Sequence, residues 1–349
     1  MQKKIIPTYR IDKSYEENYN LGPLFDGDVP KKIPKKEIDF LGFKLRSPVG
    51  IFAGPLLNSK WIKLYAKLGY GILTYKTVRT HAVKCHPFPN SVCIDIKDKD
   101  QLSIQSKNRP AFLSPQTNPG EKISITASFG MPSQNPDVWE NDIKKAKSCL
   151  MDGQILVVSV VGDDANDFAK CAQLADESGA DVIEANFSCP NVKTKEGSIF
   201  LDPKLSGIIV KQIKEKIGET PLIVKIGHIE DKNFLRSFIK ETMGFINGVV
   251  CVNGISMKIL EEGGSPFFGE ERISAGISGH SIRDCGEDMV EKVREIKKEL
   301  DADFVILGGG GIFSPEHIEK YLNLGADIAM SATGIMWNPL LAYQYSLKK

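Results

Sequence analysis

The sequence predicts an α/β protein with one (β/α)8 TIM barrel, preceded by an N-terminal extension and interrupted by a long insertion after the second strand. Eight short apolar runs alternate with amphipathic helical stretches along the 349 residues, which is typical of βα units around a parallel sheet. The runs are continuous and β-branched, as in strands that are buried on both faces. Eight such units favour a closed barrel over an open sheet, and a chain of this length fits a single barrel domain.

The predicted elements follow one another in the order that a barrel requires. The candidate strands are Val49–Ala53, Gly71–Tyr75, Ile155–Val160, Val182–Ala185, Leu222–Lys225, Gly248–Val252, Phe304–Leu307 and Ile328–Ser331. Helices are expected over Asp164–Gly179, Gly279–Leu300 and Ser314–Gly325. The last of these starts with a Ser-Pro pair, which suits an N-cap followed by the first helical position.

Two regions interrupt this alternation. Residues 1–45 precede the first strand, and we expect them to cap the floor of a barrel domain that spans residues 46–349. Residues 80–135 form a Pro- and Asn-rich insertion after the second strand. An insertion of this length inside a compact domain is typical of a lid or a pocket wall, although an ordinary surface insertion is the alternative.

Composition excludes several classes of function. The 45 basic and 44 acidic residues give a net charge of +1, which provides no basic surface for nucleic acid or an anionic membrane. No apolar run approaches the roughly 20 residues that span a bilayer, and the N-terminus has no signal-peptide core, so we expect a cytoplasmic protein. The seven cysteines form no C-x-x-C pair, so neither a zinc site nor an iron–sulfur centre is expected.

Candidate functional residues follow the predicted strands. In an α/β barrel the active site lies at the carboxyl ends of the strands. Those positions hold Lys76, Asn186 with Cys189 and Asn191, Lys225, Asn253, the Gly308–Gly311 run and Thr333. The glycine turn after strand seven and the Ala332-Thr333 turn after strand eight predict a phosphate site, because barrels often bind phosphate with these two loops. The alternative is that the glycines serve only a tight turn.

The segment NFSCPN, residues 186–191, carries the most specific chemical signal. A thiol on a loop after a strand can act as a general acid or base when its pKa lies near neutrality. The flanking asparagines offer both donors and acceptors, which suits a ring with alternating C=O and N–H groups. An isolated cysteine would more often be structural, but its place in this motif makes Cys189 a candidate for proton transfer.

These motifs together resemble those of one enzyme family over about residues 40–345. They are SPVGIFAGP near the first strand, YKT at 75–77, NFSCPN, VKI at 224–226, VCVNG at 250–254, AGISGHSI at 275–282 and GGGGIFS. The pattern resembles the dihydroorotate dehydrogenases, and also the pyrimidine-binding domain of dihydropyrimidine dehydrogenase. The cysteine in NFSCPN is similar to that of the soluble class, since the membrane-associated class has serine there.

The resemblance implies an FMN cofactor and assigns roles to individual residues. The FMN phosphate would be held at Gly310, Gly311, Ala332 and Thr333, with Gly276 lining the phosphate side. The flavin ring would contact Ala53, Gly54, Lys76, Thr77 and Asn186. Lys225 would lie at its pyrimidine end and stabilise negative charge there on reduction, and Cys189 would be the general acid/base. The substrate would be bound by Lys76, Asn186, Asn191 and Asn253.

The resemblance also implies the partners. We expect a small-molecule substrate and an electron acceptor that is either a soluble small molecule or a partner flavoprotein. A homodimer is a further expectation, and no nucleic-acid or membrane partner is expected.

Three departures from the family pattern bear on the substrate. Ala127 stands where many relatives have a substrate-holding asparagine, and Gly254 replaces the usual Ser or Thr after Asn253. Gly227-His228 replaces a Pro-containing turn. Because lost polar contacts discriminate strongly between ring substrates, we predict that dihydroorotate is a poor substrate and that a related cyclic amide or enone is preferred. Asn90 or Asn108 could supply substitute contacts, and a phosphate-binding barrel without flavin remains the alternative outside this class.

Overall fold

The computed structural model describes residues 6–95, 111–113, 122–188, 198–261 and 263–348. Its strands are β1 (Ile38–Phe40), β2 (Phe43–Leu45), β3 (Val49–Ile51), β4 (Ile72–Val78), β5 (Ser91–Asp95), β6 (Ala111–Leu113), β7 (Ser124–Ala127), β8 (Ile155–Val160), β9 (Val182–Asn186), β10 (Leu222–Lys225), β11 (Gly248–Cys251), β12 (Ile255–Leu260), β13 (Ser274–Gly279), β14 (Val305–Gly308) and β15 (Ile328–Ser331). Its helices are α1 (Tyr15–Leu21), α2 (Ser59–Ala66), α3 (Pro136–Ser148), α4 (Ala165–Glu177), α5 (Pro203–Ile217), α6 (Lys232–Thr242), α7 (Arg283–Glu299), α8 (Pro315–Leu324), α9 (Thr333–Trp337) and α10 (Leu341–Leu347).

Eight of these strands close into a parallel barrel in the order β3-β4-β8-β9-β10-β11-β14-β15. All eight strands that the sequence predicted are present, so the predicted barrel is confirmed. The predicted helices are also found as α4, α7 and α8. The second of these begins four residues later than expected, because Ser274–Gly279 is a strand and residues 280–282 form a single 3₁₀ turn.

Alternate residues of the barrel strands fill the barrel interior, as the twofold periodicity of a strand requires. The interior cluster combines strand residues with Phe40 and Leu45, which lie on the β1–β2 hairpin. The hairpin therefore packs its apolar side chains against those of the barrel interior. The segment before the hairpin lies at the carboxyl ends of the barrel strands, since Tyr9 and Tyr15 line a large cavity together with residues at those strand ends.

The insertion after β4 contains strands and is not one long loop. Strands β5, β6 and β7 join β12 and β13 in a second, five-stranded closed sheet of order β12-β13-β7-β5-β6. Strand β13 pairs antiparallel with β12 and with β7, and β7 also pairs antiparallel with β5. Ala127 on β7 therefore lies opposite Ser91 of β5 and Gly276 of β13. This small sheet sits over the mouth of the barrel and contributes Ile125, Ala127 and Gly276 to the cavity wall.

No helix in the described ranges is long and apolar enough to cross a membrane.

Candidate active site

A cavity of about 650 Å³ lies between the barrel mouth and the small sheet. Its volume is within the range of small-molecule and cofactor pockets. It is lined by twelve residues that the sequence nominated for the site: Ala53, Gly54, Lys76, Thr77, Asn186, Lys225, Asn253, Gly276, Gly310, Gly311, Ala332 and Thr333. Gly308 and Gly309 of the same glycine run do not line it. Cys189 and Asn191 lie outside the described residues, as does Asn108. Predicted site residues from eight separate segments of the chain therefore line one cavity.

Lys225 lies on the cavity floor, at the end of β10. Its side chain is almost fully buried, and Nζ lies 4.8 Å from the centroid of the Phe52 ring. Burial lowers the pKa of Lys225, and the nearby Glu184 carboxylate opposes that effect. Glu184 was not among the site residues predicted from the sequence, although a charged residue inside the apolar run Val182–Ala185 is a signal that could have identified it.

The amide side chains are oriented by one hydrogen-bonded cluster. The Asn186 amide group donates to Thr77 Oγ1 at 3.4 Å, and its oxygen accepts from the Ser188 hydroxyl at 3.1 Å. Asn253 donates to the same Asn186 oxygen at 3.5 Å and also to Ser188. Because Thr77 lies on β4 and Asn253 follows β11, this cluster extends across five neighbouring strands of the barrel mouth, from β4 through β8, β9 and β10 to β11. It presents fixed donors and acceptors along one wall of the cavity.

The glycine turn after β14 has the features of an anion site. Gly311 has a φ of +62°, and a Cβ there would lie 2.9 Å from the Arg283 Cβ, so glycine is required. Arg283 donates to the Gly311 carbonyl at 3.0 and 2.8 Å, and the Tyr321 hydroxyl donates to the Gly310 carbonyl at 2.9 Å. Within the described residues, the N–H groups of Gly310 and Gly311 donate to no protein acceptor.

The second turn at this end of the cavity adds hydroxyl groups. Thr333 Oγ1 and Ser278 Oγ are 2.9 Å apart, and both residues line the cavity. Ser278 was missed in the sequence, where only the neighbouring Gly276 was singled out. Unpartnered backbone N–H groups beside two hydroxyls form a donor set that suits a phosphate.

Two of the three departures from the family pattern, Gly254 and Ala127, have different structural settings. Gly254 N–H donates to Asn253 Oδ1 at 2.8 Å, and a Cβ on Gly254 would lie 3.1 Å from the Ile277 carbonyl oxygen. The backbone therefore occupies the acceptor of Asn253 and leaves its amide group for Asn186 and Ser188. Ala127 lies in the cavity wall without a polar side chain.

Asn90, which the sequence offered as one residue that could replace the missing asparagine, does not line the cavity. Its side chain is buried and donates to the His86 carbonyl at 2.8 Å, so it stabilises the backbone of the insertion. His86 and Ser128 line the cavity beside Ala127 instead, with His86 Nδ1 and Ser128 Oγ 3.3 Å apart. Burial and the neighbouring Arg272 lower the pKa of His86, which favours the neutral imidazole.

The N-terminal segment supplies an aromatic wall beside Lys76. Tyr9 and Tyr15 each lie with their ring centroids 6.0 Å from that of Phe129. Lys76 Nζ lies 5.7 Å from the Tyr15 ring and donates to the Pro132 carbonyl at 3.3 Å. No sequence pattern placed the two tyrosines here, because they lie well before the first barrel strand, with most of α1 and the β1–β2 hairpin between.

His228, which replaces the Pro-containing turn, also borders the cavity. Its side chain is almost fully buried, and Nε2 lies 2.7 Å from Asp288 Oδ2 on α7. A Cβ on the preceding Gly227 would lie 2.6 Å from the Phe200 ring. The turn therefore packs tightly between α7 and the segment that follows the NFSCPN loop.

Comparison with known proteins agrees with this geometry. The chain matches the family model described as dihydroorotate dehydrogenase over residues 108–344. It is 38% identical to a dihydroorotate dehydrogenase of Dictyostelium discoideum over 358 residues, which cover 97% of this chain and 96% of that protein.

More distant relatives extend the similarity. The chain is 28% identical to the dihydroorotate dehydrogenase B (NAD(+)), catalytic subunit, of Thermoplasma acidophilum over 61% of this chain and 66% of that protein. It is also 28% identical to the NAD-dependent dihydropyrimidine dehydrogenase subunit PreA of Escherichia coli, over 52% of this chain and 45% of that protein. The resemblance inferred from the motifs is confirmed, and the chain belongs to the dihydroorotate dehydrogenase family of oxidoreductases.

Proposed function

We propose that this chain is an FMN-dependent oxidoreductase that acts on a CH–CH or C=C bond beside a carbonyl group in a cyclic amide. The observation that carries the proposal is the placement of unpartnered N–H groups at Gly310 and Gly311 in the same cavity as the buried Lys225. An anion site and a buried cation in one cavity suit the phosphate and the redox-active ring of a single cofactor.

The residues present fit FMN. Gly310, Gly311 and the hydroxyls of Thr333 and Ser278 would hold its phosphate, and Lys225 would stabilise negative charge at its ring. When bound, FMN supplies a hydride acceptor at N5. A Cβ at Gly54 would meet no atom within 4 Å, so the chain leaves open space beside the proposed ring position.

The protein groups would bind the substrate and move its proton. Asn186 and Asn253 would hydrogen-bond the ring amides, since their cluster fixes which atoms act as donors and acceptors. Asn191 would complete this set, and Lys76 would attract an acidic substituent. Cys189 would exchange a proton with the substrate carbon as general acid/base.

Dihydroorotate is the first candidate substrate, because the relative that aligns with 97% of the chain is named for it. Ala127 and the internally bonded Gly254 favour a second candidate, a dihydropyrimidine or another cyclic amide that needs fewer contacts. The names of the relatives include NAD(+) and quinone enzymes, so the electron acceptor of this chain is not assigned by similarity.

One experiment tests the central proposal. The purified protein should show a flavin absorbance spectrum, and the cofactor released by heat should be FMN. Anaerobic addition of dihydroorotate or dihydrouracil should then bleach the flavin, and the faster substrate identifies the preferred ring. A colourless protein that cannot be reconstituted with FMN would contradict the proposal and favour a phosphate-binding barrel without flavin.

A further inference from the structure

Glu184 is a carboxylic acid enclosed in the barrel interior. It lies on β9 between Val182, which belongs to the interior cluster, and Asn186, which lines the cavity. The side chain has no exposed surface, and neither carboxylate oxygen has a hydrogen-bond partner within the described residues. A buried carboxylate costs several kcal/mol unless another group compensates it, so its retention in the barrel calls for a physical reason.

The charged group nearest to Glu184 along the neighbouring strand is Lys225. On β10, Lys225 lies opposite Asn186 of β9, and Glu184 lies two residues before Asn186 on the same face of the sheet. Burial raises the pKa of Glu184, and Lys225 and, more weakly, the nearby Ser159 hydroxyl oppose that effect. Burial lowers the pKa of Lys225, and Glu184 opposes that effect in turn. Among the described residues, no other ionised side chain contributes to either shift. The two groups therefore titrate as a coupled pair, in which each ion is favourable only while the other is charged.

Polar neighbours connect this pair with the cavity wall. Ser159 on β8 lies directly opposite Glu184 in the sheet register. Its hydroxyl is 2.9 Å from Thr77 Oγ1, which accepts a hydrogen bond from the Asn186 amide. A column of polar side chains thus runs from Glu184 to the amide cluster, inside an otherwise apolar barrel. Such a column permits charge at Glu184 that an apolar interior would not.

We propose that Glu184 is a positioning residue that keeps Lys225 cationic at the cavity floor, so that the site can accept negative charge on the bound cofactor. The inference rests on the proposed FMN function. Without the Glu184 carboxylate, burial acts on Lys225 with no counter-charge, so Lys225 loses its proton at a lower pH than it does in the wild type. The cofactor then becomes harder to reduce, because reduction places negative charge beside an uncharged amine.

The test is the pH dependence of the reduction potential of the bound FMN in wild type and Glu184→Gln. At pH 8 the variant should shift the equilibrium between bound FMN and a reference dye toward the oxidised flavin by about tenfold or more, about 30 mV for a two-electron couple. The difference should shrink as the pH falls, because Lys225 regains its proton. Thr74→Val is the matched control: it replaces a buried interior hydroxyl that has no hydrogen-bond partner and changes no charge.

Several outcomes would overturn the inference. Superimposable potential–pH profiles in wild type and Glu184→Gln would do so, and so would a higher potential in the variant, since Lys225 would then stay charged alone. If Glu184→Gln does not fold, Glu184→Asp should show the same shift at smaller size, and an unchanged profile there counts against the proposal. A wild-type protein that binds no FMN would contradict the proposed function itself, whereas FMN-replete variants with unchanged profiles would contradict this inference alone.

Discussion

The side-chain oxygen of Asn90 accepts a hydrogen bond from the backbone N–H of Tyr15 at 3.3 Å and so joins the N-terminal segment to the insertion. Tyr15 is the first residue of α1, where a backbone N–H has no partner within its own helix. The same amide donates to the His86 carbonyl at 2.8 Å. Two segments that are distant in sequence therefore meet at one buried side chain and form one wall of the cavity together.

Asn90→Ala should lower the free energy of unfolding by about 1–3 kcal/mol, because it leaves the Tyr15 N–H and the His86 carbonyl without a partner. Urea denaturation of the wild type and the variant measures this difference. Asn141→Ala is the control, since its amide donates to the Asp137 carbonyl on an exposed helix face and should change stability by no more than about 0.5 kcal/mol. Equal losses in the two variants would contradict the role assigned to Asn90.

Gly311→Ala should weaken FMN binding by about tenfold. Alanine at a φ of +62° costs about 1 kcal/mol of backbone strain, and its Cβ must push Arg283 away from the Gly311 carbonyl. Equilibrium dialysis or fluorescence quenching of FMN measures the dissociation constant. Gly244→Ala is the matched control, because a Cβ there meets no atom within 4 Å. If the two alanine variants bind FMN equally well, the turn after β14 does not hold the phosphate.

The barrel could be predicted from the sequence because each of its strands is a continuous apolar run that is buried on both faces. The converging strand ends then placed Lys76, Lys225 and Asn253 in one cavity, since parallel strands in a barrel end at the same face. This part of the site can therefore be predicted from the order of strands and helices along the chain alone.

The small sheet could not be predicted in the same way. Its strands have three to six residues, and β12 alternates between buried and exposed side chains, so no single run stands out. It forms by pairing β7 with β13, which are separated in sequence by four of the eight barrel strands. For the same reason the placement of Tyr15 depends on long-range packing that local patterns do not encode.

Cys189→Ala should retain FMN but slow its reduction by substrate by about 10²–10⁴-fold, the usual contribution of a general acid/base. Stopped-flow measurement of flavin bleaching gives this rate directly. Cys189→Ser should keep part of the activity and gain rate as the pH rises, because a hydroxyl is a weaker acid than a thiol. Cys149→Ala serves as the control, since Cys149 lies at the end of α3 and does not line the cavity. An unchanged rate of reduction in Cys189→Ala would refute the proton-transfer role.

Ala127→Asn tests which substrate the cavity suits. Ala127 lies in the cavity wall between its strand partners Ser91 and Gly276, where an asparagine side chain would face the proposed substrate. A hydrogen bond to a buried polar group contributes about 1–3 kcal/mol, so the variant should bind dihydroorotate about tenfold more tightly or better if the wild type is short of this contact. The measurement is the KM for dihydroorotate with an artificial electron acceptor, compared with that for dihydrouracil. The dissociation constant of FMN should not change, which separates a substrate effect from a cofactor effect. If the wild type already turns over dihydroorotate at several per second with a micromolar KM, near the median for enzymes, and Ala127→Asn adds nothing, then His86 and Ser128 compensate for the missing amide and dihydroorotate is the substrate.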